Sequence, residues 1–482
     1  STLMRSSAAS DVYKRQVFRI LYGKEGDYME KLAFYLVTDT HYYDTSFKAS
    51  GPAYERRSRT DQKCVAETGA IIDSGFAQIA ADKDTDIILI PGDLVYRGEY
   101  QSHVGFREKL YKLKEQGKRI YLITARHDYA ENPVEFDGEK EIPVRGMDRK
   151  DLRDFYKDFG FDEAISEHKN SMSYVVQLQP GYRLLALNCD GDCKDFKGLW
   201  DDQMQWALEE IKKAHDAGDY IFAMTHYPLL PFSPVMNFIG DAKLTDWEKC
   251  ANEFADAGMN LIFTGHMHAQ ALTQYKTAKG NTITDIQTGC FVGCPCAYRR
   301  VVIDDENVTV KSFTIDDFNW DKGGRTAAEY FQWRFDRMIL DIVDAMADDF
   351  AFFTRLFGGP EKNKKLKVPV TIAGRILKKL TLGGVGRIFC FKVDDSIRHR
   401  LLKDTIVEFV RNIFVGNEPY VKGTPMYSAV SKLFDRLSPV LRIVQNKLGK
   451  NQPLLADIKG FVLSMIGDEK QMDYEAVLKK NV

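Results

Sequence analysis

Five of the nine histidines fall just after short apolar runs, each close to an aspartate, a glycine or another histidine. Asp39-Thr40-His41 follows the run at 32–38, Gly92-Asp93 follows 86–90, and His127-Asp128 follows 119–124. His226 follows 219–225, and Gly265-His266-Met267-His268 follows 260–264. Imidazole and carboxylate together suit a divalent Mn, Fe or Zn ion better than Ca or a structural Zn. A carboxylate between two such ions can bridge them, and a pair of ions clamps the oxygens of an in-line phosphoryl displacement. Asp39/His41 and His266/His268 can each point both side chains the same way if the local backbone is extended.

Those residues need elements that bring them to one place. Runs of β-forming residues at 32–38, 86–90, 119–124, 173–178, 182–188, 219–225 and 260–264 alternate mostly with helix-like segments at 61–81, 102–116, 150–158, 200–217 and 246–257. In 200–217, Trp200, Met204, Ala207, Leu208 and Ile211 recur at helical spacing, with Glu209, Glu210, Lys212 and Lys213 opposite. In α/β sheets ligands bind beyond the carboxyl ends of the strands, so the five loops should converge. Between 281 and 315 the pattern is strands only, as at 299–303 and 307–313, and past 320 the Gly323-Gly324 break leads into helices. The expected architecture is an α/β or sandwich domain to about 316 followed by an all-α module, with no internal repeat.

Composition narrows the class. The 482 residues are 44% hydrophobic and 28% charged, an ordinary globular balance, and the net charge of −2 gives no global field for nucleic acid. No apolar run approaches the ~20 residues of a membrane span. Eight cysteines are too sparse for a disulfide scaffold, so a cytoplasmic location is expected. The first residues invite separate treatment. Asp11-Val12-Tyr13-Lys14-Arg15-Gln16 can be encoded by a transposase adapter used in library preparation, and Lys24-Glu25-Gly26 by a bacterial ribosome-binding site ahead of Met29. Residues 1–28 are therefore expected to be adapter and leader, with the native start at Met29 and no signal peptide.

The order D-x-H, G-D, H-D, H and G-H-x-H resembles that of the calcineurin-like metallophosphoesterases. The likeness spans roughly 31–315 and extends to Gly98-Glu99, Ser102-His103, Ser171-Met172-Ser173-Tyr174 and Gln203-Met204-Gln205-Trp206, which look like bacterial members. It implies two packed β-sheets flanked by helices, a hydrolase domain over 29–316 and a helical accessory domain over 317–482. It also implies a dinuclear centre. One metal would be held by Asp39, His41, Asp93 and His268, and a second would share Asp93 and take His226 and His266. His127 would stand by the leaving-group oxygen, Asp128 would orient its imidazole and keep it cationic, and a metal-activated hydroxide would attack a phosphomonoester or phosphodiester. The family's usual G-N-H-D reads Ala125-Arg126-His127-Asp128 here. Arginine has no acceptor and cannot ligate a cation. Three outcomes are open: Arg126 turns away, it grips a substrate phosphate, or the second site is lost, leaving one metal or a degenerate binding protein.

Tyr42, Tyr43 and Tyr129 flank these motifs and could stack on a substrate base or sugar; the expected partner is a phosphorylated small molecule. His103, His168, His215 and His399 receive no role. Cys290, Cys294 and Cys296 lack CxxC spacing, and buried core thiols are the better reading than zinc ligands. Residues 361–450 carry 19 basic against 7 acidic side chains, and 372–391 interleaves Arg375, Lys378, Lys379 and Arg387 with apolar residues. That stretch is either a bundle with a solvated basic face or a surface for an anionic substrate or lipid, with Gly383, Gly384 and Gly386 arguing against one continuous helix.

Overall fold

Two sheets stand face to face because their strands are apolar on both sides. The computed structural model describes residues 30–129, 131–190, 196–237, 241–355, 359–448, 457–468 and 473–480, and the expectation for residues 1–28 falls outside them. In the first sheet β1 (Leu32–Leu36), β2 (Ile87–Pro91) and β3 (Arg119–Ile123) run parallel, with Phe34 opposite Ile87 and Ile88 opposite Ile120. On the other side of β1 lie antiparallel β13 (Ala297–Ile303), β14 (Asn307–Thr314) and β15 (Glu475–Lys479). All five residues of β2 are buried, as expected for a parallel strand covered on both faces.

The second sheet has the order β11 (Ala271–Lys276), β12 (Thr282–Gln287), β10 (Leu261–Thr264), β9 (Tyr220–Thr225), β8 (Tyr182–Leu187), β7 (Ser173–Gln179) and β6 (Ser166–His168). Within it β8, β9, β10 and β12 are parallel. The sheets meet through aromatic rings: Phe34 of β1 stacks on Phe222 of β9 at 5.4 Å and meets Phe263 of β10 edge-on at 5.2 Å. A small hairpin, β4 (Val134–Asp137) with β5 (Lys140–Pro143), stands apart beside α1 (Gly51–Ser58). Helices α2 (Thr68–Ala81) and α3 (Tyr100–Glu115) pack Phe76 and Phe106 into the core of the first sheet, with α4 (Arg149–Phe155) nearby. Helices α5 (Asp201–Asp216) and α6 (Trp247–Asp256) close the second, through Met204, Ile211 and Phe254.

The helix expected over 61–81 begins later. Asp61 accepts the Lys63 amide at 3.1 Å, and Lys63 pairs with Gly293 in an antiparallel bridge, so 61–64 is extended and the α-helix starts at Thr68. An aspartate that captures an amide two residues on gives the backbone an alternative to the helix.

Past 320 the chain is helical: α7 (Ala327–Asp348), α8 (Phe350–Arg355), α9 (Lys367–Lys379), α10 (Leu382–Ile388), α11 (Leu402–Val415), α12 (Pro425–Leu448) and α13 (Ile458–Ile466). Thr326 and Glu329 cap α7 reciprocally. The helical reading gains one addition, β15, which returns to the first sheet. The 372–391 segment breaks at Leu380 and Thr381, while Gly384 and Gly386 lie buried inside α10. Among the described residues no helix is long and apolar enough to cross a membrane.

Candidate metal centre

The parallel strands β1, β2, β3, β9 and β10 deliver their following residues to one edge, where both aspartates and all five histidines meet. His41 Nε2 lies 3.0 Å from His268 Nε2 and 3.7 Å from both Asp39 Oδ1 and Asp93 Oδ2. Asp39 Oδ1 is 3.3 Å from His268 Nε2. On the other side of Asp93, Oδ2 is 3.2 Å from His226 Nε2, which is 3.2 Å from His266 Nδ1. His127 Nε2 sits 4.0 Å from the same Asp93 oxygen. Two donor groups thus adjoin Asp93, one with His41, His268 and Asp39 and the other with His226 and His266.

The backbone achieves this differently from the extended arrangement considered above. Asp39 (φ 54°), His41 (36°), Asp93 (52°), His266 (71°) and His268 (58°) all adopt left-handed conformations. Asp and His tolerate this region better than most side chains, yet each such residue costs about 1 kcal/mol or more, a strain that concentrates at functional sites. Hydrogen bonds hold the loop: the His41 amide donates to Asp93 O at 3.0 Å and the Tyr42 amide to Leu94 O at 2.9 Å. Gly265 is needed for close approach, since a Cβ there would stand 2.1 Å from Thr38 Oγ1 and 2.5 Å from Asp39 Oδ2.

Four imidazoles have an oxygen acceptor at the nitrogen remote from the centre. His226 Nδ1 faces Pro91 O at 2.9 Å, His268 Nδ1 faces Gln62 Oε1 at 2.8 Å, His127 Nδ1 faces Tyr96 O at 2.9 Å, and His266 Nε2 faces Asp241 O. With the remote nitrogens protonated toward those oxygens, the inward nitrogens of neutral rings carry lone pairs. Asp39 Oδ2 is satisfied by the Thr38 hydroxyl and the His266 amide, whereas buried Asp39 Oδ1 has no hydrogen-bond partner. Converging lone pairs around a buried, unpaired carboxylate oxygen are costly by themselves and fit a cation. The donor set therefore suits a divalent ion in each group.

Electrostatics agree. Loss of hydration and then the Lys63 charge hold His41 well below its ordinary range, and the same two causes bring His127 to about 4. Burial, then the charge of His226, lowers His266 to about 3. For His226 burial opposes the charge, but Asp93 and Asp39 outweigh it and lift the pKa to about 10. A cation would take the place of that proton, as metal binding to histidine commonly does.

Several expected roles are corrected. Asp128 does not orient His127: its carboxylate accepts the backbone N–H of Leu94, Val95 and Ala125 at 2.8, 3.1 and 2.7 Å, and Tyr96 O takes the imidazole instead. Nor does Asp128 keep that ring cationic. Tyr42 and Tyr43 are 4% and 3% exposed, with their hydroxyls on Asp44 and on the Lys48 and Val134 carbonyls, so they pack rather than stack on substrate. Tyr129 is half-buried, its hydroxyl donating to Asp190 O at 3.5 Å and the Arg149 guanidinium 5.9 Å from its ring centroid. Arg126 is paired, with Nη2 3.2 Å from Glu131 and Nη1 3.4 Å from Asp241. It thereby steadies the segment whose Asp241 carbonyl holds His266.

Gln62, Tyr96 and Asp241 carry no signal in the motifs, and Cys290 is a buried thiol as expected. Cys290 donates to Asp39 O at 3.1 Å and groups with His41 and His268, and among the described residues no three thiols gather at ligand distance. His103 is a satisfied core histidine, between Tyr156 Oη and Asp128 O.

Residues 32–270 match the family model described as calcineurin-like phosphoesterase. Similar solved structures include a dimetal phosphatase from Danio rerio, 11% identical over 58% of this chain and 95% of that one, TM-score 0.43. A purple acid phosphatase from yellow lupin (Lupinus luteus) seeds is 10% identical over 60% and 52%, TM-score 0.40. The NAD nucleotidase of Haemophilus influenzae is 12% identical over 73% and 62%, TM-score 0.31. No curated protein sequence matches the chain.

Proposed function

Because the chain belongs, through residues 32–270, to the calcineurin-like phosphoesterase family and is a metal-dependent phosphoric ester hydrolase, we propose that it works with two divalent cations on a small phosphomonoester or phosphodiester. Asp39, His41, Asp93 and His268 would hold one, and Asp93, His226 and His266 the other. The observation that carries this reading is the convergence of imidazole nitrogens on both sides of Asp93, beside a buried Asp39 oxygen without a hydrogen-bond partner. Bound cations supply Lewis acidity to phosphoryl oxygens and lower the pKa of coordinated water.

The chain's own groups supply the positioning. Asp93 Oδ1 accepts the His127 amide at 3.1 Å, which turns Oδ2 toward His41, His127 and His226. Tyr96 fixes the His127 ring so that Nε2 faces the leaving-group oxygen, where it can donate a proton once protonated. Tyr129 offers a ring face to a base or sugar. The degenerate-binder reading requires Arg126 against the second group, and the Glu131 and Asp241 pairings argue against it.

Elemental analysis after Mn²⁺ reconstitution and desalting should find two ions per chain, and a single ion would refute the dinuclear proposal. Asp93→Asn should abolish turnover of p-nitrophenyl phosphate and its bis ester; activity that persisted would remove Asp93 from the centre. For the anionic-surface contact of 361–450, the proposed location is α9, where Val368, Ile372 and Ile376 are 68%, 52% and 50% exposed among lysines and Arg375. Salt-sensitive flotation with anionic vesicles is the expected result, and no binding at low salt would withdraw it.

A further inference from the structure

The donor group that holds His226 and His266 has fewer protein donors than its neighbour, so the aim of each ring counts for more. His266 is aimed from several directions. Its Nδ1 lies 3.2 Å from His226 Nε2, the Tyr227 ring packs against it at a centroid distance of 4.2 Å, and its Nε2 faces the Asp241 carbonyl. A proton kept on Nε2 by that carbonyl leaves the Nδ1 lone pair for a cation. Should the carbonyl drift, the proton can pass to Nδ1, and the ring then offers the centre no donor.

Asp241 stands in the segment after β9, and its side chain is tied across to the loop after β3 in the other sheet. Arg126 Nη1 is 3.4 Å from Asp241 Oδ2, and Arg126 Nη2 is 3.2 Å from Glu131 Oε1. Arg126 opens a turn that Asp128 pins by accepting the Ala125 amide at 2.7 Å, so the guanidinium is anchored at its backbone end as well. The side chains of Glu131, Arg126 and Asp241 are half-buried, which spares the pairs part of the screening that weakens surface ion pairs. A planar guanidinium can hold a carboxylate at each terminal nitrogen, which a single ammonium does less well. With two carboxylates around one guanidinium the trio is formally net negative, so Arg126 does not repel a cation beside His266.

We propose that Glu131 and Arg126 are positioning residues for His266: Glu131 holds Arg126, Arg126 holds Asp241, and the Asp241 carbonyl fixes the tautomer that presents Nδ1 to the second cation. The inference rests on the dinuclear reading above. Glu131 touches none of the donor residues, yet occupancy of the second position depends on it. The first cation does not, because His41 and His268 are held from elsewhere, His268 by Gln62 at 2.8 Å. The relay thus makes the two positions separately adjustable.

The test uses the full chain, stripped of ions with a chelator and titrated with Mn²⁺ calorimetrically. Arg126→Gln should weaken the second ion about 10–100-fold and leave the first nearly unchanged. Glu131→Gln should act in the same direction, and it carries the comparison should the Arg126 variant fold poorly. The double variant should be no worse than Arg126→Gln, since both changes cut one relay, and Arg126→Lys should recover part of the loss. The sign decides the matter. Removing a positive charge beside a cation site would by electrostatics alone tighten the ion, so a second ion held as tightly or more tightly in Arg126→Gln would overturn the proposal. The His266 tautomer is read separately, by nitrogen NMR of the ion-free chain labelled at histidine and assigned with His266→Gln. Wild type should carry the proton on Nε2, and both neutral variants should show a mixture. A tautomer identical in wild type and variants would overturn the relay whatever the affinities. A wild type that binds a single ion, with the tautomer still shifting in the variants, would sink the dinuclear reading and keep the relay.

Discussion

At the scale of single residues, two groups make opposite use of burial. His127 is pushed to about 4 by lost hydration and by Lys63, so it is neutral until an anionic ester arrives to raise it. If it then protonates the leaving oxygen, His127→Ala should slow phenyl phosphate far more than p-nitrophenyl phosphate, whose leaving group needs no acid. Equal losses on both esters would restrict His127 to positioning. Glu99 lies outside the chemistry, 0% exposed, with burial raising its pKa from 4.5 to about 7. A carboxyl raised on folding holds its proton longer in the native state than in the unfolded one. Stability contributed through that proton is present below pH 4.5 and is lost as pH rises through 7. Glu99→Gln should therefore gain about 1–3 kcal/mol over wild type at pH 8 and little at pH 4.5. Denaturation midpoints at the two pH values check this, and the same difference at both would exclude Glu99 as the titrating group.

At the scale of elements, the strand ends were readable because the ligands follow runs such as Ile87–Pro91 that can only be buried strands, and topology sends parallel strands to one edge. The positive-φ turns were not readable, since the motif D-x-H looks the same extended or left-handed until the Gly92, Asp93 and Leu94 carbonyls accept the amides of Asp39, His41 and Tyr42. The extended segment 61–64 was hidden for another reason. Its composition continues smoothly into α2, and only the contacts with Val292, Gly293 and Cys294, more than two hundred residues away, draw it out of the helix. Gln62 stands in that segment, so the misplaced helix start concealed its contact with His268. Asp128 and the tyrosines Tyr42 and Tyr43 show the converse: adjacency to a motif suggested roles that three backbone amides and a closed packing cluster preclude. The segment's importance has a measurable form. Gln62→Leu removes the acceptor that fixes the His268 tautomer and should lower metal affinity about 10–100-fold with little change in the far-UV spectrum. Wild-type affinity in competition with a chelator would show that His268 is held by packing alone.

At the scale of the whole molecule, the sequence suggests a division at 316 that the packing does not respect. Phe318, Ala327, Tyr330, Phe331 and Phe335 from the start of the helical region, and Ala476 and Leu478 from β15, join the same apolar core as Leu32, Ile71 and Val310. The Tyr330 hydroxyl donates to Glu67 at 2.6 Å, and Arg334 lies 3.5 Å from the same buried carboxylate. The Gln270 amide, two residues beyond His268, donates to Phe414 O at 3.0 Å in α11. β15 covers the free edge of β14, with Val308 opposite Leu478 and Val310 opposite Ala476. A chain cut at 316 would leave that edge open, strip the apolar face under α7 and leave Glu67 without its tyrosine and arginine. Exposed edges of this kind pair with other chains. The piece 29–316 should therefore be recovered mostly as aggregate, and co-expressed 317–482 should rescue part of it into a soluble complex that copurifies. A soluble, monomeric 29–316 that unfolds cooperatively at the full-length Tm would mean that the helical region is an appendage. The expected dependence instead makes it a structural half of the hydrolase, which fastens Gln270 and the strand edge beside the loop that carries His266 and His268.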